Sequence, residues 1–309
     1  MNRLVEAGPQ INIEAKVIAV SNLITEKLES GGRLMLDADA VLFKQDSLSR
    51  PVLTDQKFLP VLSQLEMAGI KLGLATARPL HSVNWLRNRG LLLNGPSILA
   101  NGQAVLEEGE LKYLVEEGFI EFLKKATQVM ESHERFKSRW IDVKNDCDFS
   151  FCRGNPQWQD LARASWWFKW QEGRENQILD EIFMPALGGL AGGYGVNLPV
   201  SLKVGLMKMR HGGVLGIVSM VGAINGRRIN KSDAAKIITN HHQTIFIADG
   251  DGDVEMGQWC QQHDGLAISV GGGLDLSPDL KRFAHLANGR LDSPPELALC
   301  LDKVSRDFR

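Results

Sequence analysis

Short apolar runs alternate with helix-like segments in two separate parts of this 309-residue chain, and this alternation limits its fold more than any other feature. A strand that is buried on both faces is apolar throughout, whereas an amphipathic helix repeats its apolar residues every three or four positions. Strands separated by helices form parallel sheets, because each helix returns the chain to the start of the next strand. The sequence therefore predicts an α/β core whose strands are RLML (33–36), KLGLA (71–75), SILA (97–100), TIFIA (244–248) and LAISV (266–270).

The stretch between about 105 and 225 has a different character. It contains a predicted amphipathic helix near 116–136 and five of the seven tryptophans: Trp140, Trp158, Trp166, Trp167 and Trp170. These tryptophans suit the core of a small domain, although aromatic rings can also stack on a sugar. We interpret the glycine-rich ALGGLAGGYG (186–195) as a flexible turn or a substrate loop. The predicted organisation is an extension (1–32) that contains a helix over 13–30, a core (33–104 and 226–309) and an inserted second domain (105–225).

Composition excludes several classes of protein. With 35 basic and 37 acidic residues the formal net charge is −2, so no basic excess indicates binding to nucleic acid. The four cysteines are too few for a disulfide framework and lack the paired spacing of zinc ligands. No apolar run is long enough to span a membrane, and the first residues do not resemble a signal peptide. These features together predict a cytoplasmic protein without membrane or nucleic-acid partners.

Polar residues follow the predicted strands at their carboxyl ends, where open parallel sheets bind their ligands. They are Asp37 and Asp39 after RLML, Thr76 after KLGLA, Asn101 after SILA, and the aspartates of DGDGD (249–253) after TIFIA. If the strands before Asp37 and Asp249 are neighbours, both carboxylates reach one site. Carboxylates, a hydroxyl and a lysine such as Lys231 are the groups that magnesium-assisted phosphoryl transfer requires.

A calcium loop is the alternative interpretation of 249–253. An EF-hand with Asp249 at its first position needs glycine at the sixth and glutamate at the twelfth. These positions hold Val254 and Cys260, and the run before Asp249 has the pattern of a strand rather than a helix. We therefore exclude the EF-hand. The pair His241–His242 is interpreted as part of a loop rather than as metal ligands.

The order of DADAV (37–41), TAR (76–78), NG (101–102), KSDAA (231–235) and ADGDGDVEM (248–256) resembles the haloacid dehalogenase (HAD) superfamily of phosphohydrolases. It is similar to the branch with a cap domain inserted between the second and third motifs, which includes Cof-type sugar phosphatases, sucrose-phosphate phosphatase, mannosyl-3-phosphoglycerate phosphatase and phosphomannomutase. The resemblance covers roughly 33–104 and 226–290. It implies a Rossmann-like parallel-sheet core with an inserted α+β cap, and a Mg²⁺-dependent phosphatase that acts on a small phosphate ester, with a sugar phosphate as the expected substrate.

The resemblance also implies a role for each matching residue. Asp37 is the expected nucleophile and metal ligand, and Asp39 is the expected acid/base, with its backbone carbonyl on the metal. The expected phosphate-binding residues are Thr76, Ala77, Asn101 and Lys231, and the remaining metal ligands are Asp249 and Asp253.

The motifs depart from the family pattern at Ala40, Ser232, Ala248 and Gly252, where the family has glycine, glycine, glycine and asparagine. No acidic residue of the pattern is missing, which favours an active enzyme. Two alternatives stay open from the sequence. One is a phosphomutase with the same aspartyl-phosphate intermediate, and the other is a non-catalytic HAD-like protein that binds a phosphorylated ligand or a protein partner. The sequence predicts no oligomeric state.

Overall fold

The structure is a computed structural model that describes residues 13–39, 41–45, 51–78, 80–132, 164–169, 175–208, 214–238, 243–250, 253–271 and 278–308. Its strands are β1 (Arg33–Leu36), β2 (Phe43–Gln45), β3 (Pro51–Leu53), β4 (Leu72–Leu74), β5 (Ser97–Leu99), β6 (Ala104–Glu107), β7 (Glu110–Tyr113), β8 (Ala164–Lys169), β9 (Leu202–Lys208), β10 (Val214–Met220), β11 (Ala223–Ile224), β12 (Arg227–Arg228), β13 (Thr244–Ala248), β14 (Leu266–Val270) and β15 (Gly289–Leu291). Its α-helices are α1 (Ile13–Glu29), α2 (Phe58–Met67), α3 (Leu80–Arg87), α4 (Glu117–Ser132), α5 (Glu175–Ile178), α6 (Met184–Gly193), α7 (Leu198–Ser201), α8 (Lys231–Ala235), α9 (Val254–Gln262), α10 (Pro278–Leu286) and α11 (Pro294–Asp307).

The core is a five-stranded parallel sheet in the order β15-β14-β13-β1-β4. Strand β1 lies at the point where the order of the strands in the sheet reverses. The next strand of the sheet along the chain, β4, pairs with one side of β1, and the later strand β13 pairs with the other side. Leu36, the last residue of β1, is in register with Ile247 of β13 and Leu74 of β4. A crevice at such a reversal, beyond the carboxyl ends of the strands, is the usual binding site of open α/β sheets.

Both faces of this sheet are covered, which explains why its strands are apolar throughout. Side chains alternate along a strand, so Leu34 and Leu36 join one hydrophobic cluster while Met35 joins another on the opposite face. Helices α1, α2 and α11 cover the first face, and α9 and α10 cover the second. The predicted α/β class with a Rossmann-like core is confirmed.

The predicted strand SILA exists as β5, but it belongs to a small antiparallel sheet, β5-β6-β7. A single parallel bridge between Ala75 and Ile98 attaches this sheet to the edge of the core. The bridge places the residues after β5 beside those after β4, so the polar residues of both strand ends come together.

A separate hydrophobic cluster, from Val115 to Ile229, unites α4, α6 and the antiparallel sheet β8-β10-β9. The elements from α4 to β10 are called the cap here, and their mixed composition agrees with the α+β cap that the resemblance implied. Trp166 is buried in this cluster and contacts Phe183 edge to face, as a core tryptophan does. The domain boundaries at 105 and 225 stay predictions, since β6 and β7 still pack against the core.

The interpretation of residues 186–195 as a flexible turn or loop was wrong. Residues Met184–Gly193 form helix α6, with Leu187 and Ala191 buried on one side. Each glycine in a helix costs about 1 kcal/mol relative to alanine. Packing of α6 against α4 overrides that low propensity.

The predicted extension also contributes to the core. Within it, α1 packs against α11, and its residues Val20, Ile24 and Leu28 belong to the larger core cluster. Ser21 lies at this contact: its buried hydroxyl donates to the carbonyl of Val17 within α1, at 2.7 Å, and lies 3.3 Å from the carbonyl oxygen of Cys300 in α11. Strand β15 and helix α11 were not predicted from the sequence. In the part of the chain that the structure describes, no helix combines the length and apolar character needed to cross a membrane.

If α1 is part of the core, replacing Ile24 by alanine should destabilise the whole protein. Ile24 is fully buried, and Ile→Ala at such positions costs about 2–5 kcal/mol. Ile18 lies on the same helix but is 40% exposed, so Ile18→Ala should change the free energy of unfolding by less than about 0.5 kcal/mol. Urea unfolding of both variants measures the difference, and equal small losses would show that α1 is not a core element.

Candidate active site

Two neighbouring strands deliver the aspartates of the predicted site. Asp37 directly follows β1, and its backbone N–H donates to the carbonyl of Ile247 in β13 at 2.8 Å. Asp249 directly follows β13, and Asp253 precedes helix α9. Carboxylate oxygens of Asp37, Asp249 and Asp253 lie within 4.8 Å of one another. The pairing of β1 with β13 therefore brings together residues that are more than 200 positions apart.

Lys231 provides the positive charge of this cluster. Its buried Nζ lies 3.1 Å from Asp37 Oδ1 and 2.6 Å from Asp253 Oδ1. Burial alone would lower the pKa of Lys231, but the charges of Asp253 and Asp37 raise it above its ordinary value. The side chain is therefore a permanently protonated ammonium that joins the two carboxylates.

The carboxylate of Asp37 has a different balance. Burial raises its pKa, Lys231 opposes that effect, and the charges of Asp253, Asp249 and Asp39 raise the pKa further, so the net value is well above the ordinary one. Three carboxylates face one ammonium group, and negative charge exceeds positive charge in the cluster. The cluster thus favours the binding of an additional cation.

A divalent cation fits these residues by two observations. The donors are all carboxylate oxygens, which Mg²⁺ prefers. In addition, Oδ2 of the fully buried Asp253 has no hydrogen-bond partner among the described residues, although such atoms are normally satisfied. Asp37, Asp249 and Asp253 are therefore the residues that would hold Mg²⁺.

Asp39 lies outside this carboxylate cluster. Its Oδ1 accepts a hydrogen bond from Arg78 Nε at 2.8 Å, and Nη2 of the same guanidinium lies 2.5 Å from this oxygen as an ion pair. The guanidinium of Arg78 also lies over the ring of Phe43, 5.1 Å from its centroid. Arg78 thereby fixes the orientation of Asp39. Arg78 belongs to the motif TAR, but nothing in that motif alone indicates a contact with Asp39.

The carbonyl of Asp39, expected on the metal, accepts a hydrogen bond from the N–H of Val41 at 2.7 Å. A carbonyl oxygen has two lone pairs, so this bond leaves one available. The expected metal contact of this carbonyl stays a prediction.

Thr76 is completely buried two residues beyond β4. Its Oγ1 accepts from the N–H of Arg78 at 3.0 Å, and its carbonyl accepts from the N–H of Asn101 at 3.0 Å. Ala77 lies in the same turn. The bond to Asn101 joins the end of β4 to the turn after β5, so Thr76, Ala77 and Asn101 occupy one region. Their binding of phosphate stays a prediction.

The turn Ala100–Gly102 packs against the start of the helix that carries Lys231. A Cβ on Gly102 would lie 2.0 Å from the carbonyl oxygen of Asn230, and the φ of Gly102 is +96°. Both facts require glycine here. The close approach connects the phosphate-binding residues predicted in the first half of the chain with Lys231 in the second half.

Helix α8 is short, and its first turn is fixed by a capping box. The side chain of Asn230 accepts from the N–H of Asp233, and the carboxylate of Asp233 accepts from the N–H of Asn230. Arg227 adds two hydrogen bonds to Asp233, at 2.7 and 2.5 Å. Asn230 and Asp233 have the three-residue spacing of a capping box, and the consequence of this cap is that Lys231 starts from a rigid backbone.

Two of the four departures from the family pattern, Ala248 and Ser232, lie within the part of the chain that the structure describes. Ala248 is fully buried in β13, opposite Ser269 of β14, and Ser232 Oγ donates to Asn230 Oδ1 at 2.7 Å. The carboxylates of Asp37, Asp249 and Asp253 come together with both residues in place. Ala40, Gly252 and the pair His241–His242 lie outside the described residues.

Comparison with solved structures identifies the fold. The C-terminal domain of C. albicans trehalose-6-phosphate phosphatase aligns with 93% of this chain and 96% of its own, with a TM-score of 0.53 and 13% sequence identity. A trehalose-6-phosphate phosphatase related protein aligns with 89% of this chain and 97% of its own, with a TM-score of 0.52 and 15% identity.

The chain has the HAD fold with an inserted cap. The fold implied by the motif resemblance is thereby confirmed. No protein-family model matches the chain, and no curated protein matches it in sequence. At these identities the likeness shows a common fold, and the roles of the individual residues in the candidate site stay predictions.

The raised pKa of Asp37 predicts that, when metal is absent, this site lowers the free energy of unfolding by an amount that depends on pH. Because the folded state binds this proton more tightly than the unfolded state, ionisation of Asp37 makes stability fall as pH rises above about 3.9. Asp37→Asn mimics the neutral carboxyl. In EDTA, the urea midpoint of the variant should exceed that of the wild type at pH 7, by a margin that shrinks towards pH 4.

Addition of Mg²⁺ should stabilise the wild type and remove this margin, because the variant lacks one ligand. A margin in EDTA that is the same at pH 4 and pH 7 would contradict the assigned charge balance. Asp264→Asn serves as the control, since Asp264 is an exposed aspartate paired with Lys27.

Proposed function

We propose that this chain is a Mg²⁺-dependent phosphomonoesterase that acts on a small phosphorylated metabolite. The observation that carries the proposal is the convergence of three carboxylates, those of the buried Asp37 and Asp253 and the half-buried Asp249, with Lys231 between two of them. The HAD fold adds support, as does the fact that solved structures with this fold are named trehalose-6-phosphate phosphatases. A sugar phosphate is accordingly the proposed substrate class, and cytoplasmic localisation stays a prediction.

In the first step, the Asp37 carboxylate attacks the phosphorus of the ester. The bond between phosphorus and the ester oxygen breaks, and Asp39 donates a proton to the departing alcohol oxygen. The product of this step is an alcohol and an aspartyl-phosphate on Asp37. Arg78 supports the step because it fixes the carboxylate of Asp39 from one side.

In the second step, Asp39 accepts a proton from water, and the water oxygen attacks the phosphorus. The bond between phosphorus and Asp37 breaks, which releases inorganic phosphate and restores the carboxylate. Lys231 and Thr76 would neutralise the phosphoryl oxygens in both steps, and a cation bound by Asp37, Asp249 and Asp253 would add positive charge where the phosphoryl group sits. This role explains why the ammonium group of Lys231 is buried and held in a fixed position.

The buried position of Lys231 distinguishes this proposal from a solvated acidic turn. An acidic turn that merely links a strand to a helix needs no buried lysine, and burial of charged groups is costly unless they are paired. Here the chain buries Asp37, Lys231 and Asp253 together. This arrangement is expected where the groups act on a ligand rather than on folding alone.

Phosphate release from glucose 6-phosphate, trehalose 6-phosphate and p-nitrophenyl phosphate tests the proposal. Release should require Mg²⁺ and stop with EDTA. Asp37→Asn should abolish it, Asp39→Asn should lower kcat by about 10²–10⁴-fold, and the control Asp264→Asn should retain it. Release that persists in Asp37→Asn would contradict the assigned nucleophile.

Product analysis with the hexose phosphate separates hydrolysis from a mutase reaction. Hydrolysis gives one free phosphate for each sugar released, whereas a mutase returns the phosphoryl group to another hydroxyl and gives an isomer. An isomer without free phosphate would overturn the hydrolase but retain Asp37 as nucleophile. Absence of turnover, together with absence of Mg²⁺ binding, would support the non-catalytic alternative.

A further inference from the structure

Gln103 is a completely buried glutamine whose polar groups bond to three separate segments. Its side-chain Nε2 donates to the carbonyl of Ala100 at 3.0 Å, and its Oε1 accepts from the N–H of Gly222 at 2.6 Å. Its backbone carbonyl accepts from the N–H of Leu114 at 2.9 Å. A single residue of the core therefore bonds to the turn after β5 and to both chain segments that lead into and out of the cap.

The first of these segments is a backbone turn in an unfavourable conformation. Ala100 and Asn101 have φ of 51° and 59°, and Gly102 follows with a φ of +96°. A left-handed conformation costs a residue with a side chain about 1–2 kcal/mol, so two in succession need support from their surroundings. Hydrogen bonds from Ala100 N to the Arg78 carbonyl and from Asn101 N to the Thr76 carbonyl supply part of it. Gln103 supplies more by its bond to the Ala100 carbonyl.

The other two segments are the connections of the cap. The outgoing linker (114–116) leads from β7 to α4, and the returning linker (221–222) leads from β10 to β11. They lie against each other, because a Cβ on Gly222 would fall 2.3 Å from Val115 Cγ1 and 3.3 Å from Gln103 Oε1. Both connections thus pass one point, and Gln103 forms the polar contact at that point.

We propose that Gln103 is a positioning residue that ties the two cap linkers to the turn Ala100–Gly102, so that the placement of the cap and the shape of this turn depend on each other. The turn packs against the backbone of Asn230 and Lys231, so the same tie reaches the start of helix α8. A buried side chain that only filled space would not require two oppositely directed hydrogen bonds to segments about 120 positions apart in the chain. The inference goes beyond the proposed function and does not depend on whether the chain hydrolyses a phosphate ester.

The expected consequence of losing the tie is a cap without a fixed position. Gln103→Met removes both side-chain hydrogen bonds while nearly preserving side-chain volume. Gln103→Glu keeps an acceptor for the Gly222 N–H but, as a carboxylate, removes the donor to Ala100. The two variants separate the contact with the linker from the contact with the turn.

A distance distribution between two spin labels measures cap placement directly. The labels are attached at Gln56→Cys in the core and Gln128→Cys in the cap, since both positions are exposed. Cys147 and Cys152 are replaced by serine, whereas Cys260 and Cys300 are buried and burial raises the pKa of their thiols to about 12 and about 11, so they react slowly. Hydrogen exchange of a peptide spanning 98–104 reports on the turn in the same proteins.

The wild type should give one narrow distance and slow exchange in the 98–104 peptide. Gln103→Met should lose the single narrow distance and accelerate exchange in that peptide, and Gln103→Glu should accelerate exchange with a smaller effect on the distance. Ser21→Ala is the control for a lost buried hydrogen bond, because Ser21 lies at the contact between α1 and α11, and it should change neither readout. A wild-type distance distribution in both Gln103 variants, or a broadened one in Ser21→Ala, would overturn the proposal.

Discussion

The site depends on the two ion pairs that the ammonium group of Lys231 makes with buried carboxylates. Asp37 comes from the end of β1 and Asp253 from the start of α9, and Lys231 bonds to both from the first turn of α8. Without it, buried carboxylates would repel one another across a few ångströms. Removing one partner of a buried ion pair typically costs 3–5 kcal/mol, because the remaining charge is left uncompensated. Lys231 therefore joins the two halves of the core sequence.

The position of Lys231 is in turn determined by backbone contacts. The capping box of Asn230 and Asp233 fixes the first turn of α8, and Gly102 allows the turn after β5 to pack directly on it. Any side chain at 102 would separate these segments. The geometry of the charged cluster thus rests on hydrogen bonds and close backbone packing, which are rigid, rather than on the flexible lysine side chain alone.

Much of the core could be predicted from the sequence because apolar runs and strand ends obey local rules. The strand before Asp37 and the strand before Asp249 were predicted separately, and their pairing placed both carboxylates at one site as expected. The cap was less predictable. Helix α6 contains four glycines, and its packing against α4, a long-range effect, offsets their low helix propensity.

The contacts of Arg78 and Gln103 could not be predicted from the sequence because they, too, depend on long-range packing. Arg78 was part of a quoted motif, yet its bond to Asp39 depends on how two loops approach. Gln103 follows the NG pair, but nothing local in the sequence indicates that its amide reaches Gly222, 119 positions away. The roles of the individual site residues remain predictions that the geometry permits and supports.

The most direct test of the central claim is the binding of fluoroberyllate, which mimics a phosphoryl group on an aspartate, followed by ¹⁹F NMR. The proposed arrangement of Asp37, Asp249, Asp253 and Lys231 predicts a bound signal that requires Mg²⁺, that disappears in Asp37→Asn and that persists in Asp264→Asn. A bound signal that survives in Asp37→Asn, or the absence of any bound signal in the wild type with Mg²⁺, would contradict the claim that these residues form one phosphoryl-transfer site.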